Sequence, residues 1–588
     1  MRKSFSFIIS ILGRKFVPFV ILALCTSLTA IVGPLSTVLT PKLIMDELMG
    51  RRDLTYILGL IIGIVVLNII RNITKMLFDE ICLPKYENEF KCRINEKMIT
   101  KVCDLDIENF DSSEFKKQYN RAITQCENIG KTFLNSVTVI FDRIVYVGTI
   151  VTIIATLDPV LILFSVISVI SIFFFNKIIS KENYNAEKAN TQNKMKIKYI
   201  EKIFYNREYL EDIHLLPLKQ KFLGSYREAY DDLNHTMFSR KKKACFYGLI
   251  DGGIRVFILE FCTLSYLTFC VFIGRVSVSS FMALFMATVQ LCNELFIFVN
   301  GVNRFYKISV EIQDVLEILN MGSKIEGNKG DIKVVGEGSD ITISNVSFQY
   351  PFSTKEVLTN INMKIRNGEK VAVVGENGSG KSTLLKLILH LYDPTKGEIS
   401  INGVDLRNID TKEYRERIGN VTQKYHYYAM SIKDNILLKT KAELSEKGLN
   451  EIIDMCDLRT KVDSLKGKEN TILTKELDED GAELSGGEAQ KIAIAREIAS
   501  ENISLLILDE ASAAMDPISE NKINQMILQY AENKTLIMVS HHLSTVKDMN
   551  YIYVLDQGKI IEEGTHDCLI EKGGKYAQMW KVQSQKYH

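Results

Sequence analysis

Long apolar runs alternate with charged stretches through the first half of the chain, and then the runs stop. About 20 consecutive apolar residues suffice to cross a bilayer as a helix. Six stretches qualify: Phe16–Leu39, Tyr56–Ile73, Val137–Ala155, Val160–Phe175, Phe246–Ile273 and Val276–Val299. Only Thr156-Leu157-Asp158-Pro159 separates the third from the fourth, which predicts a tight hairpin. Upstream, the basic Arg2-Lys3, an apolar stretch from Phe5 to Leu12 and Arg14-Lys15 have the outline of a signal peptide, but no small-residue cleavage site follows. A short amphipathic helix lying on the membrane fits better. Arg2, Lys3, Arg14 and Lys15 precede the first span, and Arg240-Lys241-Lys242-Lys243 precede the fifth. The positive-inside rule puts both flanks in the cytoplasm, giving an N-in, C-in topology with short outer loops.

The inner loops are long, charged and helix-forming, as in Tyr86–Lys91 and Glu182–Lys202. Structureless loops of that length are uncommon, so the spanning helices are expected to continue into the cytoplasm. Reversals are expected near Phe110–Phe115 and Tyr209–His214. Within the spans lie Asp142, Arg143, Asp251, Arg255, Glu260 and Glu294. Such residues normally face a bundle interior or a wet cavity. Asp251 and Arg255, four apart, can pair on one helix face; Glu294 has no local partner and is a candidate cavity-lining residue.

From Met321 to Asp340 Gly, Lys, Glu and Asp take over, which marks a linker between residues 1–320 and 341–588. Beyond it Ile341–Phe348 alternates as a strand does, and strand-like and helix-like segments then alternate as in an α/β domain. Val371-Ala372-Val373-Val374 leads into Gly375-Glu376-Asn377-Gly378-Ser379-Gly380-Lys381-Ser382, followed by the helical Thr383–Leu389. Strand, G-x-x-x-x-G-K-S and helix are the context of a P-loop. The glycines let backbone N–H groups close around phosphate oxygens, and the helix N-terminus adds to the attraction. Lys381 can reach the terminal phosphates and Ser382 can hold Mg²⁺. A second apolar run, Ile503–Leu508, ends in Asp509-Glu510. It can deliver one carboxylate to the metal and one to the attacking water.

Composition narrows the partners. The 588 residues carry 72 Lys+Arg against 71 Asp+Glu, a net +1, so no basic excess points to nucleic acid. The 11 cysteines form no C-x-x-C pair or zinc spacing, and several sit in apolar runs where cysteine behaves as a small hydrophobe.

Between the two nucleotide motifs, Leu484-Ser485-Gly486-Gly487-Glu488-Ala489-Gln490 resembles the signature of the ATP-binding cassette (ABC) family. Other family motifs follow in order: Tyr350 matches the adenine-stacking aromatic, Gln423 the Q-loop, Asp516 the D-loop and His541 the switch histidine. The resemblance implies a multidomain exporter half-transporter: an all-α six-helix transmembrane domain of the type I ABC exporter fold, followed by an α/β P-loop nucleotide-binding domain. It implies a multi-pass protein of a bacterial cell membrane with its cassette in the cytoplasm, hydrolysing ATP with Mg²⁺. Glu510, His541 and Gln423 would be catalytic, and Ser382, Gln423 and Asp509 would hold the metal. Tyr350, Gly375, Glu376, Asn377, Gly378, Ser379, Gly380, Lys381, Ser382, Thr383, Ser485, Gly486, Gly487 and Asp516 would hold the nucleotide. Two positions stand out. Glu488 replaces the family's usual Gln and is expected to add a carboxylate near the partner's nucleotide; Ala511 follows Glu510, as in many exporters. His542 reads as a solvated neighbour of His541.

In the family, one subunit's P-loop is closed by another's signature serine, so the resemblance implies a dimer, with Lys381 served by the other chain's Ser485. A homodimer is favoured and a heterodimer possible; membrane lipid and a transported substrate are the remaining partners. The two reversals would act as coupling helices that turn cassette closure into alternating access. Asn109–Phe115, the Leu-Asp-Pro hairpin and Ser512–Pro517 are similar to bacterial exporters of modified peptides such as lantibiotics. No cysteine-peptidase domain precedes the first span, so any leader peptide is expected to be removed elsewhere. Lipid or multidrug efflux is the alternative. An ATP-binding sensor that moves nothing would sit best without Glu510 or His541, and both are present.

Overall fold

The computed structural model describes residues 2–50, 53–326, 338–423, 425–440, 446–500, 502–510 and 517–584. It resolves into two compact units, residues 1–99 with 120–319, and residues 100–119 with 320–588.

Among the described residues, six helical segments, lying mostly in the first unit, are long and apolar enough to cross a membrane: Phe5–Met49, Leu54–Cys103, Ser113–Leu157, Val160–Asn183, Leu218–Phe272 and Val278–Asn320. Each expected span coincides with one of them to within two residues at its ends or lies inside it, and the second, third and fifth run well past their apolar stretches, as anticipated. Large apolar side chains such as Leu58, Ile62, Val65, Ile69 and Ile73 stay exposed along the second, as lipid-facing residues do. Ile150, Ile154, Leu161, Leu267, Leu284 and Leu291 form a buried core between helices. The N-terminal helix Arg2–Leu12 buries Ile8, Ile11 and Leu12, and stops where Gly13 adopts φ 54°. Arg93 donates to the carbonyls of Ile11 and Leu12 at 3.0 and 3.2 Å, satisfying groups a helix end leaves open. The predicted hairpin turns between Leu157 and Val160, with buried Asp158 accepting from the Val160 N–H and the Tyr266 hydroxyl.

The ionisable residues of the spans are largely paired. Asp251 meets Arg255 at 3.1 Å, as the four-residue spacing predicts, and also accepts from Ser171 at 2.9 Å. Lys75 meets Asp142 at 3.2 Å. Glu294, for which the chain offers no local partner, pairs with Arg143 of another helix, 151 residues away. Tertiary structure supplies what local sequence cannot. Arg143→Leu, which leaves this carboxylate without its cation, is expected to cost up to about 3 kcal/mol. Arg143→Leu with Glu294→Leu should recover most of it, measured by thermal unfolding in detergent.

The second expected reversal is itself a short helix, Arg207–Leu215, with the breaks at Asn206 and at Leu216-Pro217. The first is built alike, a helix Ile107–Asp111 ending at Ser112, but it belongs to the second unit. Asp106, 3% exposed, accepts from the Ser323 hydroxyl at 2.5 Å and from the N–H groups of Lys324, Ile325 and Glu326 at 2.8–3.0 Å. Burial works against the ionised carboxylate, but these donors outweigh it and hold the pKa below the ordinary value. Tyr392 donates to Asp111 at 2.8 Å, Thr411 donates to the Ile325 carbonyl at 3.0 Å, and Arg415 meets Glu326 at 2.6 Å. Of the expected linker, residues 327–337 lie outside the described residues.

The rest of this unit is built on two sheets. A six-stranded sheet has the order β10-β9-β3-β8-β7-β6, with β3 (Lys370–Val374), β6 (Ile418–Val421), β7 (Leu505–Asp509), β8 (Thr535–Val539) and β9 (Tyr551–Asp556) parallel, and β10 (Lys559–Gly564) antiparallel at one edge. An antiparallel sheet, absent from the expectation of a simple α/β alternation, has the order β2-β1-β4-β5: β1 Ile341–Gln349, β2 Glu356–Ile365, β4 Lys396–Ile401 and β5 Val404–Asp405. The parallel strands are largely apolar because both faces are covered. Val371, Val373 and Ile507 pack toward the antiparallel sheet and the helix Lys381–Ile388. The alternate residues Ala372, Val374, Leu506 and Leu508 pack toward the helices Gly486–Ile498 and Pro517–Tyr530.

Candidate nucleotide site

Four adjacent strands, β3, β8, β7 and β6, end on the same side of the sheet and release the motif residues there. That carboxyl edge is where parallel α/β sheets place ligands. From β3 the chain turns through residues 375–380 into the helix Lys381–Ile388. Two of the loop's glycines, Gly375 and Gly380, are required by space. A Cβ on Gly375 would lie 2.1 Å from the Leu555 carbonyl oxygen; on Gly380, which has φ 110°, it would lie 2.7 Å from Leu358. Lys381 is 6% exposed and donates to the carbonyls of Gly375 and Glu376 at 2.8 and 2.9 Å, so its ammonium lies within the loop. Burial lowers its pKa, against the pull of Glu510 and Asp509. Glu376 and Asn377 stand exposed at the tip, and Glu376 meets Lys575 at 2.5 Å.

Asp509, at the end of β7, has its pKa raised by burial, partly offset by a hydrogen bond from Ser382 and by the charge of Lys381. Glu510 follows with φ 53°, a left-handed conformation that is uncommon outside glycine. Its N–H is fixed on the Val539 carbonyl of β8 at 2.9 Å. Strain of this kind concentrates at functional sites. The Glu510 carboxylate takes Gln423 Nε2 at 2.7 Å, from the segment after β6, and His541 Nε2 at 2.5 Å, from the segment after β8. Gln423, Glu510 and His541, 118 residues apart from first to last (541 − 423), form one cluster. His542 is exposed, as expected. Tyr350 is held upright: its hydroxyl bonds Thr383 at 3.0 Å, its ring packs edge-on against Phe348 and Tyr392, and the Lys386 ammonium lies 5.3 Å from its centroid.

Ser485 heads a separate helix, Gly486–Ile498, whose first turn holds Gly486 and Gly487. Its hydroxyl accepts the Glu488 N–H at 3.3 Å, while the Glu488 carboxylate accepts the Ser485 N–H at 2.8 Å. This is a capping box, which Glu and Gln serve equally. Lys461 meets the same carboxylate at 3.1 Å. Burial disfavours its charge, but the Ser485 N–H and Lys461 prevail, and the pKa falls below the ordinary value. Glu488 is thus turned back onto its own helix, where its charge is paired with Lys461. Lys461 carries no motif by which sequence reading could have found it. Asp516 and Ala511 lie outside the described residues.

A P-loop on β3, paired acids on β7 and a capped serine-glycine helix between them define a nucleotide-binding cassette. Residues 358–513, the stretch that carries these motifs, match the family model described as ABC transporter. Over 592 residues it is 26% identical to the subtilin transport ATP-binding protein SpaT of Bacillus subtilis, covering 98% of this chain and 93% of that one. It is 31% identical over 304 residues to the ATP-dependent lipid A-core flippase of Vibrio vulnificus strain YJ016, covering 52% and 51% of the two chains. The chain thus spans about half the length of several curated relatives it matches. A bacterial Atm1-family ABC exporter solved with ATP bound superposes with a TM-score of 0.79 at 19% identity, over 97% of this chain and 98% of that one. The two share a fold: among the described residues, six helices long and apolar enough to cross a membrane, then a cassette.

Proposed function

We propose that this chain is an ATP-driven exporter of a peptide, working as a dimer of half-transporters. The convergence of Lys381, Asp509, Glu510, Gln423 and His541 at one sheet edge carries the reading. Lys381 and the loop N–H groups bind the ATP phosphates, and Tyr350 stacks on the base. Glu510 takes a proton from the attacking water, with Gln423 and His541 orienting its carboxylate. The Ser382 hydroxyl, the Asp509 carboxylate and the Gln423 side-chain oxygen are hard donors that suit Mg²⁺, and a carboxylate destabilised by burial gains from a cation. When bound, Mg²⁺ neutralises phosphate charge. The N-terminus of the helix Gly486–Ile498, aimed across a dimer at the partner's phosphates, completes the site. Two copies of this chain suffice, because the chain carries both halves of the shared site.

The full-length similarity to a subtilin transporter supports a peptide substrate. The test is ATP turnover of the purified chain in nanodiscs with a lanthionine peptide, a lipid A-type glycolipid or a cationic dye. Stimulation by the peptide, with its accumulation in inverted vesicles, is the expected result. Stimulation by the glycolipid or dye alone would replace peptide export with lipid or drug efflux.

A further inference from the structure

The C-terminal helix Lys575–Ser584 touches both sides of the nucleotide site. Its start is anchored: the Glu562 carboxylate accepts the N–H groups of Lys575 and Tyr576 at 2.5 and 3.1 Å, and Tyr576 is fully buried with its hydroxyl 2.8 Å from His566 Nδ1. Lys575 reaches the P-loop through Glu376. Two turns on, Gln583 reaches the loop after β8. Its Nε2 donates to the His541 carbonyl at 2.5 Å, and its Oε1 accepts the Leu543 N–H at 2.9 Å. An amide, with one donor and one acceptor side by side, satisfies both groups, which an ionised carboxylate cannot.

We infer that Gln583 is a positioning residue for ATP hydrolysis, holding the backbone of the switch loop so that His541 stays on Glu510. This rests on the proposed role of His541. The loop has inner ties as well: the His542 N–H bonds the Ser540 hydroxyl at 3.0 Å, and Thr545 bonds the His542 carbonyl at 2.6 Å. Those ties fix residue 542. Gln583 grips the backbone on either side of it, at the His541 carbonyl and at an N–H that the start of the helix Leu543–Val546 leaves open. Released from that grip, the His541 ring can drift from Glu510, and small displacements of catalytic groups are costly.

The experiment measures steady-state Mg-ATP hydrolysis by the full-length chain in lipid nanodiscs. Gln583→Ala is expected to lower kcat by about tenfold while KM for ATP stays within about twofold, since Gln583 is placed on the switch loop and not on the nucleotide. Gln583→Glu supplies the readout that a merely structural role would not move. Ionised, its carboxylate can only accept and opposes the His541 carbonyl; protonated, it regains one donor beside one acceptor. Its rate relative to the parent should therefore climb as pH falls from about 8 to about 5.5, toward the carboxyl pKa, whereas the ratio for Gln583→Ala stays flat. A kcat within twofold of the parent for both variants, a flat ratio for Gln583→Glu, or KM rising in step with the loss of kcat would overturn the inference. His541→Ala separates the two levels. If it abolishes turnover while the Gln583 variants keep theirs, only this inference falls; if it turns over like the parent, the role of His541 falls and the inference with it.

Discussion

Glu510→Gln should reduce ATP turnover by roughly 10²–10⁴-fold, the usual contribution of a general base, while ATP binding is retained or strengthened. The amide preserves the shape of the carboxylate that Gln423 and His541 hold but cannot take a proton from water. It also removes a negative charge beside Asp509, which contributes to the raised pKa of that residue. The site should thus accept Mg-ATP more readily and fail to discharge it. Phosphate release under single-turnover conditions, with size-exclusion chromatography for an ATP-trapped dimer, reads both halves of the effect. Sustained hydrolysis would remove Glu510 from the chemistry.

Lys381→Ala should instead abolish binding, weakening ATP affinity by about 100-fold or more. The ammonium makes two hydrogen bonds to loop carbonyls at 2.8 and 2.9 Å and can exchange them for phosphate oxygens. Hydrogen bonds to charged groups are worth about 1.5–3 kcal/mol each, and two of them set that scale. Burial already presses on this charge, so the anion it would meet is favoured further. Titration with a fluorescent ATP analogue tests this, with thermal unfolding to show that the variant still folds. Unchanged affinity would place the phosphates elsewhere.

What could be read from sequence follows from what each feature depends on. A membrane span is a run of apolar residues, so its existence is local, and all six are where the runs are. The P-loop is likewise contiguous, and Gly375 and Gly380 answer to close contacts within the strand–loop–helix. The reach of the spans beyond their apolar runs was legible from loop length, but the reversals were not resolved into short helices with a break on each side: Pro217 marks one break, while Asn206 and Ser112 are residues that helices tolerate. Pairings between distant elements left no trace: Arg143 with Glu294, and Lys461 with Glu488, depend on packing alone. The left-handed Glu510 was also invisible, since nothing in Leu-Asp-Glu marks a residue held there by β8. The four-stranded antiparallel sheet escaped a reading built on helix–strand alternation, because β1, β2, β4 and β5 surround the P-loop strand without any helix separating β1 from β2.

The grip of Asp106 on Ser323–Glu326 bears on how such a chain can be cut and rejoined. A hybrid made by splicing a relative's cassette onto these spans after residue 320 would leave the carboxylate facing a foreign turn, and Tyr392's counterpart facing an unmatched Asp111. The exchange module is discontinuous: residues 100–119 belong with residues 320–588, and recombination that ignores the smaller piece separates groups that pair in this chain.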